Sequence, residues 1–205
     1  DFADAEYDFR EAIRFDPTFA ERYDERTAAL QGPAGELYKK GKSLQASGKH
    51  VEAFESFSES CNNRSALGCL ESGIEYENGT GVTKNFRLAA NSYEWACKLG
   101  SFLGCNNYGL MADTGRGVPQ DASLAVEFFR KACDGKSLEG CSNLGMMVEG
   151  GEGTGNDSYV ALYQKACDGG YLPGCNNLGG LYFRGTGVTE DAGGAAALFR
   201  RACDG

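Results

Sequence analysis

The stretch Lys131-Ala132-Cys133-Asp134-Gly135-Lys136-Ser137-Leu138-Glu139-Gly140-Cys141-Ser142-Asn143-Leu144-Gly145 decides the fold, because it recurs. Ala96-Cys97 and Gly104-Cys105-Asn106-Asn107-Tyr108-Gly109 precede it by 36 residues, and Ala166-Cys167-Asp168-Gly169 and Gly174-Cys175-Asn176-Asn177-Leu178-Gly179 follow it by 34. Working outward, the nine cysteines form two interleaved series, 61, 97, 133, 167, 203 and 69, 105, 141, 175. Other residue types keep the register. Ala53, Ala89, Ala125 and Ala195 lie eight before a cysteine of the first series, and Phe57, Tyr93, Phe129, Tyr163 and Phe199 lie four before it. Gly73, Gly109, Gly145 and Gly179 lie four after one of the second. A period in the thirties marks stacked supersecondary units, hence a solenoid.

Each unit reads as two helices. Alanine, aromatic and cysteine at i, i+4 and i+8 share one helical face. The second helix of a unit is expected over about Phe86 to Cys97, Ala122 to Cys133 and Ala192 to Cys203, with Asn85, Asp121 and Asp191 as N-caps. The first helix is expected to begin near Cys69, Cys105, Cys141 and Cys175. On it Cys105, Tyr108, Gly109 and Ala112 share a face. A glycine inside a helix costs about 1 kcal/mol against alanine, so its recurrence implies close helix approach. Gly79-Thr80-Gly81-Val82, Gly115-Arg116-Gly117-Val118 and Gly185-Thr186-Gly187-Val188 read as turns between the helices. A phosphate-cradling loop would need Gly-x4-Gly-Lys-Ser/Thr, which is not in the sequence. Unit three carries Gly150-Gly151-Glu152-Gly153-Thr154-Gly155 instead, two residues shorter, and is expected to be the loosest segment and a hinge.

Composition narrows the function. The 205 residues are 41% hydrophobic and 24% charged, which suits a folded chain. A net charge of -9 argues against nucleic acid or an anionic membrane surface as main partner. No apolar run reaches the roughly 18 residues of a membrane span. His50, expected in an exposed turn, is the single histidine, so a three-histidine zinc site is excluded.

The first 31 residues depart from the period. Ala5, Phe9, Ala12 and Ile13, followed by Asp16-Pro17-Thr18-Phe19-Ala20, resemble a tetratricopeptide repeat. The reading is a tetratricopeptide-like helix pair over 1–31, a linker or kink at 32–35 in Gly32-Pro33-Ala34-Gly35, and a repeat array over 36–205. Both ends fall inside a repeat pattern, so a lost leader is compatible with the sequence.

The motifs Gly104-Cys105-Asn106-Asn107-Tyr108-Gly109, Gly174-Cys175-Asn176-Asn177-Leu178-Gly179, the Gly-x-Gly-Val turns and Lys131-Ala132-Cys133-Asp134-Gly135 resemble the Sel-1-like repeat family. Cysteines eight apart are similar to its cysteine-rich subgroup. The resemblance covers about residues 50–205. It implies an all-α, αα-hairpin solenoid, a right-handed superhelix that binds proteins or peptides. Disulfides Cys61–Cys69, Cys97–Cys105, Cys133–Cys141 and Cys167–Cys175 are then the reading, as in that subgroup, with Cys203 left odd. A short intervening loop is compatible with disulfide geometry. Reduced core thiols remain the alternative, and zinc lacks a Cys-x2-Cys pair. Disulfides imply a periplasmic, secreted or intermembrane-space setting.

A helical wheel through the second unit sets Asn107 about 150° from the packed face of Cys105, Gly109 and Ala112. The resemblance places these helices on the concave surface. Asn107, Asn143 and Asn177, with Glu71 in register, are the expected contacts to an extended peptide, flanked by Leu110 and Met111. An amide offers donor and acceptor to a peptide main chain. Solvated helix-surface asparagine is the plainer alternative. Cysteine-rich relatives have been described as β-lactamases or penicillin binders. No serine here has lysine three residues later, and Lys-Thr-Gly is lacking. The expectation is therefore a monomeric, non-catalytic scaffold without cofactor or metal, whose partner is a protein or extended peptide.

Overall fold

The computed structural model describes residues 32–153 and 157–204. Ten helices follow one another among the described residues, with no strand. They are α1 (Gly32–Ala46), α2 (His50–Asn62), α3 (Ala66–Asn78), α4 (Phe86–Lys98), α5 (Phe102–Thr114), α6 (Ala122–Asp134), α7 (Leu138–Glu149), α8 (Tyr159–Asp168), α9 (Leu172–Arg184) and α10 (Ala192–Asp204). Consecutive helices pack in antiparallel pairs, and each pair packs on the next. The fold is an αα-hairpin solenoid.

The second helices lie where their spacing puts them. Asn85 and Asp121 accept the backbone N–H groups of Leu88 and Leu124 at 3.1 and 2.9 Å, and Asp191 accepts that of Gly194 at 2.9 Å. These caps satisfy donors that a helix start leaves orphaned. The first helices start three residues earlier than expected. Ser65, Ser101 and Ser137 cap α3, α5 and α7 by accepting the N–H of Gly68, Gly104 and Gly140 at 3.1–3.2 Å. Each Gly-x-Gly-Val segment ends its helix with a left-handed glycine, Gly79, Gly115 or Gly185, at φ 77°, 68° and 63°.

Two glycines per first helix let it wedge between two second helices. A Cβ at Gly104, Gly140 or Gly174 would stand 2.5–2.6 Å from the methyl of Ala96, Ala132 or Ala166 in the preceding unit. A Cβ at Gly73, Gly109 or Gly145 would stand 2.5–2.7 Å from the ring of Tyr93, Phe129 or Tyr163 in its own unit. The first approach draws the cysteines together. Cys61–Cys69, Cys97–Cys105, Cys133–Cys141 and Cys167–Cys175 are disulfides with Cα atoms 4.4–4.5 Å apart. Cys203 is exposed and free.

The expected linker or kink at Gly32–Gly35 is instead the first turn of α1. Gly32 has φ +75° and Pro33 follows it, so the pair starts a helix instead of breaking one. The expected tetratricopeptide-like pair at 1–31 lies outside the described residues. So do positions 154–156 of the expected hinge. No helix among the described residues is long and apolar enough to cross a membrane.

Candidate functional site

The two layers of the solenoid differ in spacing. Successive first helices, α1 with α3, α3 with α5, α5 with α7 and α7 with α9, approach each other directly. No approach of comparable extent joins successive second helices. The layer whose members stand closer together is the inside of the curve, so α3, α5, α7 and α9 line the concave face.

The structure brings Asn107, Asn143, Asn177 and Glu71 into register on that face, all half-buried. Three of them are engaged between units. Asn143 Nδ2 donates to Asn106 Oδ1 at 2.8 Å, and Asn177 Nδ2 donates to Ser142 Oγ at 3.3 Å. Lys42 Nζ pairs with Glu71 Oε1 at 3.1 Å. Asn107 faces the hydroxyl of Tyr93. Asn143 and Asn177 thus tie neighbouring first helices together, and Asn107 ties α5 to α4 of the preceding unit. Each amide has two donors and an acceptor, so one bond does not exhaust it.

Leu110 is 40% exposed on α5, and Met146, in the same register on α7, is 49% exposed. Met111 does not join them. It is 2% exposed and packs with Leu70, Ala89, Ala90 and Tyr93 of the preceding unit. One residue of helix is a turn of about 100°, enough to carry Met111 from the face into the inter-unit core.

A pair of polar clusters escaped the sequence reading. The Tyr93 hydroxyl donates to Glu77 Oε2 at 2.7 Å, and Arg116 of the next unit reaches Glu77 Oε1 at 2.9 Å. Two units on, the Tyr163 hydroxyl donates to Glu149 Oε2 at 2.8 Å and Arg184 reaches Glu149 Oε1 at 3.2 Å. Burial first, then the accepting carboxylate, pushes both phenols well above their usual value of 10. The alternation Tyr93, Phe129, Tyr163, Phe199 along the period was the available signal.

The ends of the second helices carry another recurring contact. Lys165 Nζ donates to the carbonyl of Cys133 at 3.1 Å, and Arg201 Nη2 to that of Cys167 at 2.9 Å. A cation there complements the negative end of the helix. His50 opens α2 and is exposed. Among the described residues, no group of three or more His, Cys, Asp or Glu side chains is arranged to hold a metal ion.

The family model for the Sel1 repeat matches residues 66–101, 103–137, 138–171 and 172–205. These segments correspond to the four hairpins from α3 to α10. Among solved structures, a protective antigen of uropathogenic Escherichia coli displaying an SLR fold is 23% identical, with a TM-score of 0.76. The match covers 87% of this chain and 40% of that one. A Sel1 repeat protein from Oxalobacter formigenes is 25% identical with a TM-score of 0.75, over 82% of this chain and 69% of that one. Helicobacter pylori cysteine-rich protein B is 29% identical over 54% of this chain and 96% of that one, with a TM-score of 0.43. This chain therefore spans less than half of the Escherichia coli antigen. No curated protein matches the sequence.

Proposed function

Because the chain belongs to the Sel1 repeat family, we propose that it is a non-catalytic scaffold that holds an extended peptide or protein segment along its concave face. The observation that carries this reading is the line of exposed apolar side chains, Leu110 and Met146, bordered by the amides of Asn107, Asn143 and Asn177. An extended segment needs main-chain partners and shallow places for alternate side chains, and amides beside flexible apolar groups offer both. The disulfides and inter-unit bonds hold that face in one shape, which lowers the ordering cost of binding. Glu71 contributes through its pairing with Lys42 more than through a free carboxylate. Met111 supports the face from beneath.

Four disulfides suggest an extracytoplasmic setting, and the finer reading is periplasm, secretion or an intermembrane space. No specific observation favours the β-lactamase alternative.

The test is selection of a displayed library of short random peptides on the oxidised chain. Enriched peptides are expected to lose about tenfold in affinity, about 1.4 kcal/mol, on Leu110→Lys and on Met146→Lys. They are expected to keep it on Val51→Lys, a more exposed apolar position on α2. Binders indifferent to both concave variants would move the site elsewhere. Repeated selections without binders would favour a structural spacer.

A further inference from the structure

Glu75 lies on α3 at the joint with the α1–α2 hairpin and is 2% exposed. Its Oε1 accepts a hydrogen bond from Gln45 Nε2 of α1 at 2.9 Å. Its Oε2 is buried with no partner. Ser72, one turn earlier on the same side of α3, also has a buried Oγ with no partner. In the later units these two registers are apolar or aromatic: Met111, Met147 and Leu181 for Glu75, and Tyr108, Leu144 and Leu178 for Ser72. The first joint is therefore the one where this core register holds an acid.

An ionised carboxylate with one hydrogen bond in such a place is costly. From α1, Lys42 faces it and favours ionisation, but Lys42 is already paired with Glu71 at 3.1 Å. From α2, His50 acts in the same direction. From α3 itself, Glu71 opposes ionisation. No titratable group of α4 or α5 is among those acting on it. Burial is the largest influence, and the carboxyl is held above its ordinary value of 4.5.

We propose that the α1–α2 hairpin is joined to the Sel1 array through a proton, which Glu75 carries in the closed joint and whose loss loosens the hairpin. The sign follows from linkage. A carboxyl raised in the fold binds its proton more tightly there than in the open chain. The joint is then at full strength below the ordinary value and weakens as the pH rises from there through the raised one. The later joints use Asn143 with Asn106 and Asn177 with Ser142, which do not titrate in this range. Among the described residues the device is confined to the first joint.

Hydrogen exchange of the whole oxidised chain tests this, between about pH 4.5 and 7.5, corrected for the intrinsic chemistry. Protection in α1 and α2 is expected to fall with rising pH relative to α5 through α9. A tenfold fall corresponds to one pH unit between the closed and open titration midpoints. Glu75→Gln, which keeps an acceptor for Gln45, is expected to flatten the profile. Glu75→Met, the residue at the equivalent site of two later units, is expected to flatten it with the hairpin still protected. Equal pH slopes in the wild type and Glu75→Gln overturn the proposal. So does a slope that survives Glu75→Gln and vanishes in Glu71→Gln.

Discussion

Replacing Gly109 by alanine sets two well-known effects against each other, and the packing of α5 on α6 decides the sign. Helix propensity favours alanine by about 1 kcal/mol at a helix-interior position. Against this, the new Cβ would stand 2.7 Å from Cε1 and 2.8 Å from Cδ1 of Phe129. Phe129 is 1% exposed, so its ring is walled in and has no free direction to swing. Overpacking of a closed core costs about 1–3 kcal/mol, and a ring held on every side belongs near the upper end. The expected net effect is a loss of about 1–2 kcal/mol. With a urea m-value of about 2 kcal/mol/M, that lowers the unfolding midpoint by about 0.5–1 M. Gly179→Ala provides the internal comparison. There the nearest ring atom of Phe199 is at 2.9 Å, and that side chain is 37% exposed at the end of the described array. Its ring can yield, so the change is expected to be near neutral or stabilising. Urea unfolding of both variants under oxidising conditions, followed by circular dichroism, reads the comparison. A Gly109→Ala variant stabilised by about 1 kcal/mol would refute the close-approach account and leave bare propensity in charge.

Four further outcomes follow from the same structure. Cys133→Ser with Cys141→Ser opens a loop of separation eight and is expected to cost about 2.5 kcal/mol in the chain-entropy model, read as a lowered unfolding midpoint that dithiothreitol no longer shifts as far. The oxidised wild type is expected to show one reactive thiol, Cys203, in a thiol titration. Tyr93 and Tyr163 are neutral in the fold with raised values, so their stabilisation is complete below about pH 10 and is lost as the pH climbs through the folded values. Tyr93→Phe with Tyr163→Phe is expected to cost about 1–2 kcal/mol each near neutrality and to blunt the alkaline loss, measured by unfolding midpoints across pH 8–11. Asn143→Ala strands the carbonyl oxygen of Asn106, whose residue is 2% exposed, and is expected to cost about 1–3 kcal/mol by the same assay.

The parts that the sequence made legible are those written in its period. Ala125, Phe129 and Cys133 repeat the spacing of Ala89, Tyr93 and Cys97, and one face of one helix follows from that. Asn85, Asp121 and Asp191 recur just ahead of it and cap it. Ser65, Ser101 and Ser137 recur as faithfully, but they sit inside a short turn, and the cysteines beyond them drew the helix start inward. Interactions between units were illegible for a different reason. A wheel describes one helix, whereas Asn143 finds Asn106 across 37 residues and Glu77 finds Arg116 across 39. Met111 shows the cost: its neighbours on the wheel are surface residues, and its neighbours in space are the core of the preceding unit. Glu75 was invisible in the same way, an acid whose burial is set by α1 and α2 more than by its own helix.

The disulfides enclose the turns that join one unit to the next. Arg64 and Lys136 are exposed in two of those turns and Lys98 is exposed at the end of α4, just before a third, and each lies between the two cysteines of its bridge. A trypsin-like protease that cuts after any of them does not release a fragment, because the bridge still spans the nick. A chain nicked in this way runs at full mass until it is reduced, and then falls apart at unit boundaries. Cuts in the Gly-x-Gly-Val turns have no such safeguard and sever the array. The bridges thus act as a second connection in parallel with the backbone at the points where a solenoid presents its shortest exposed links to a protease.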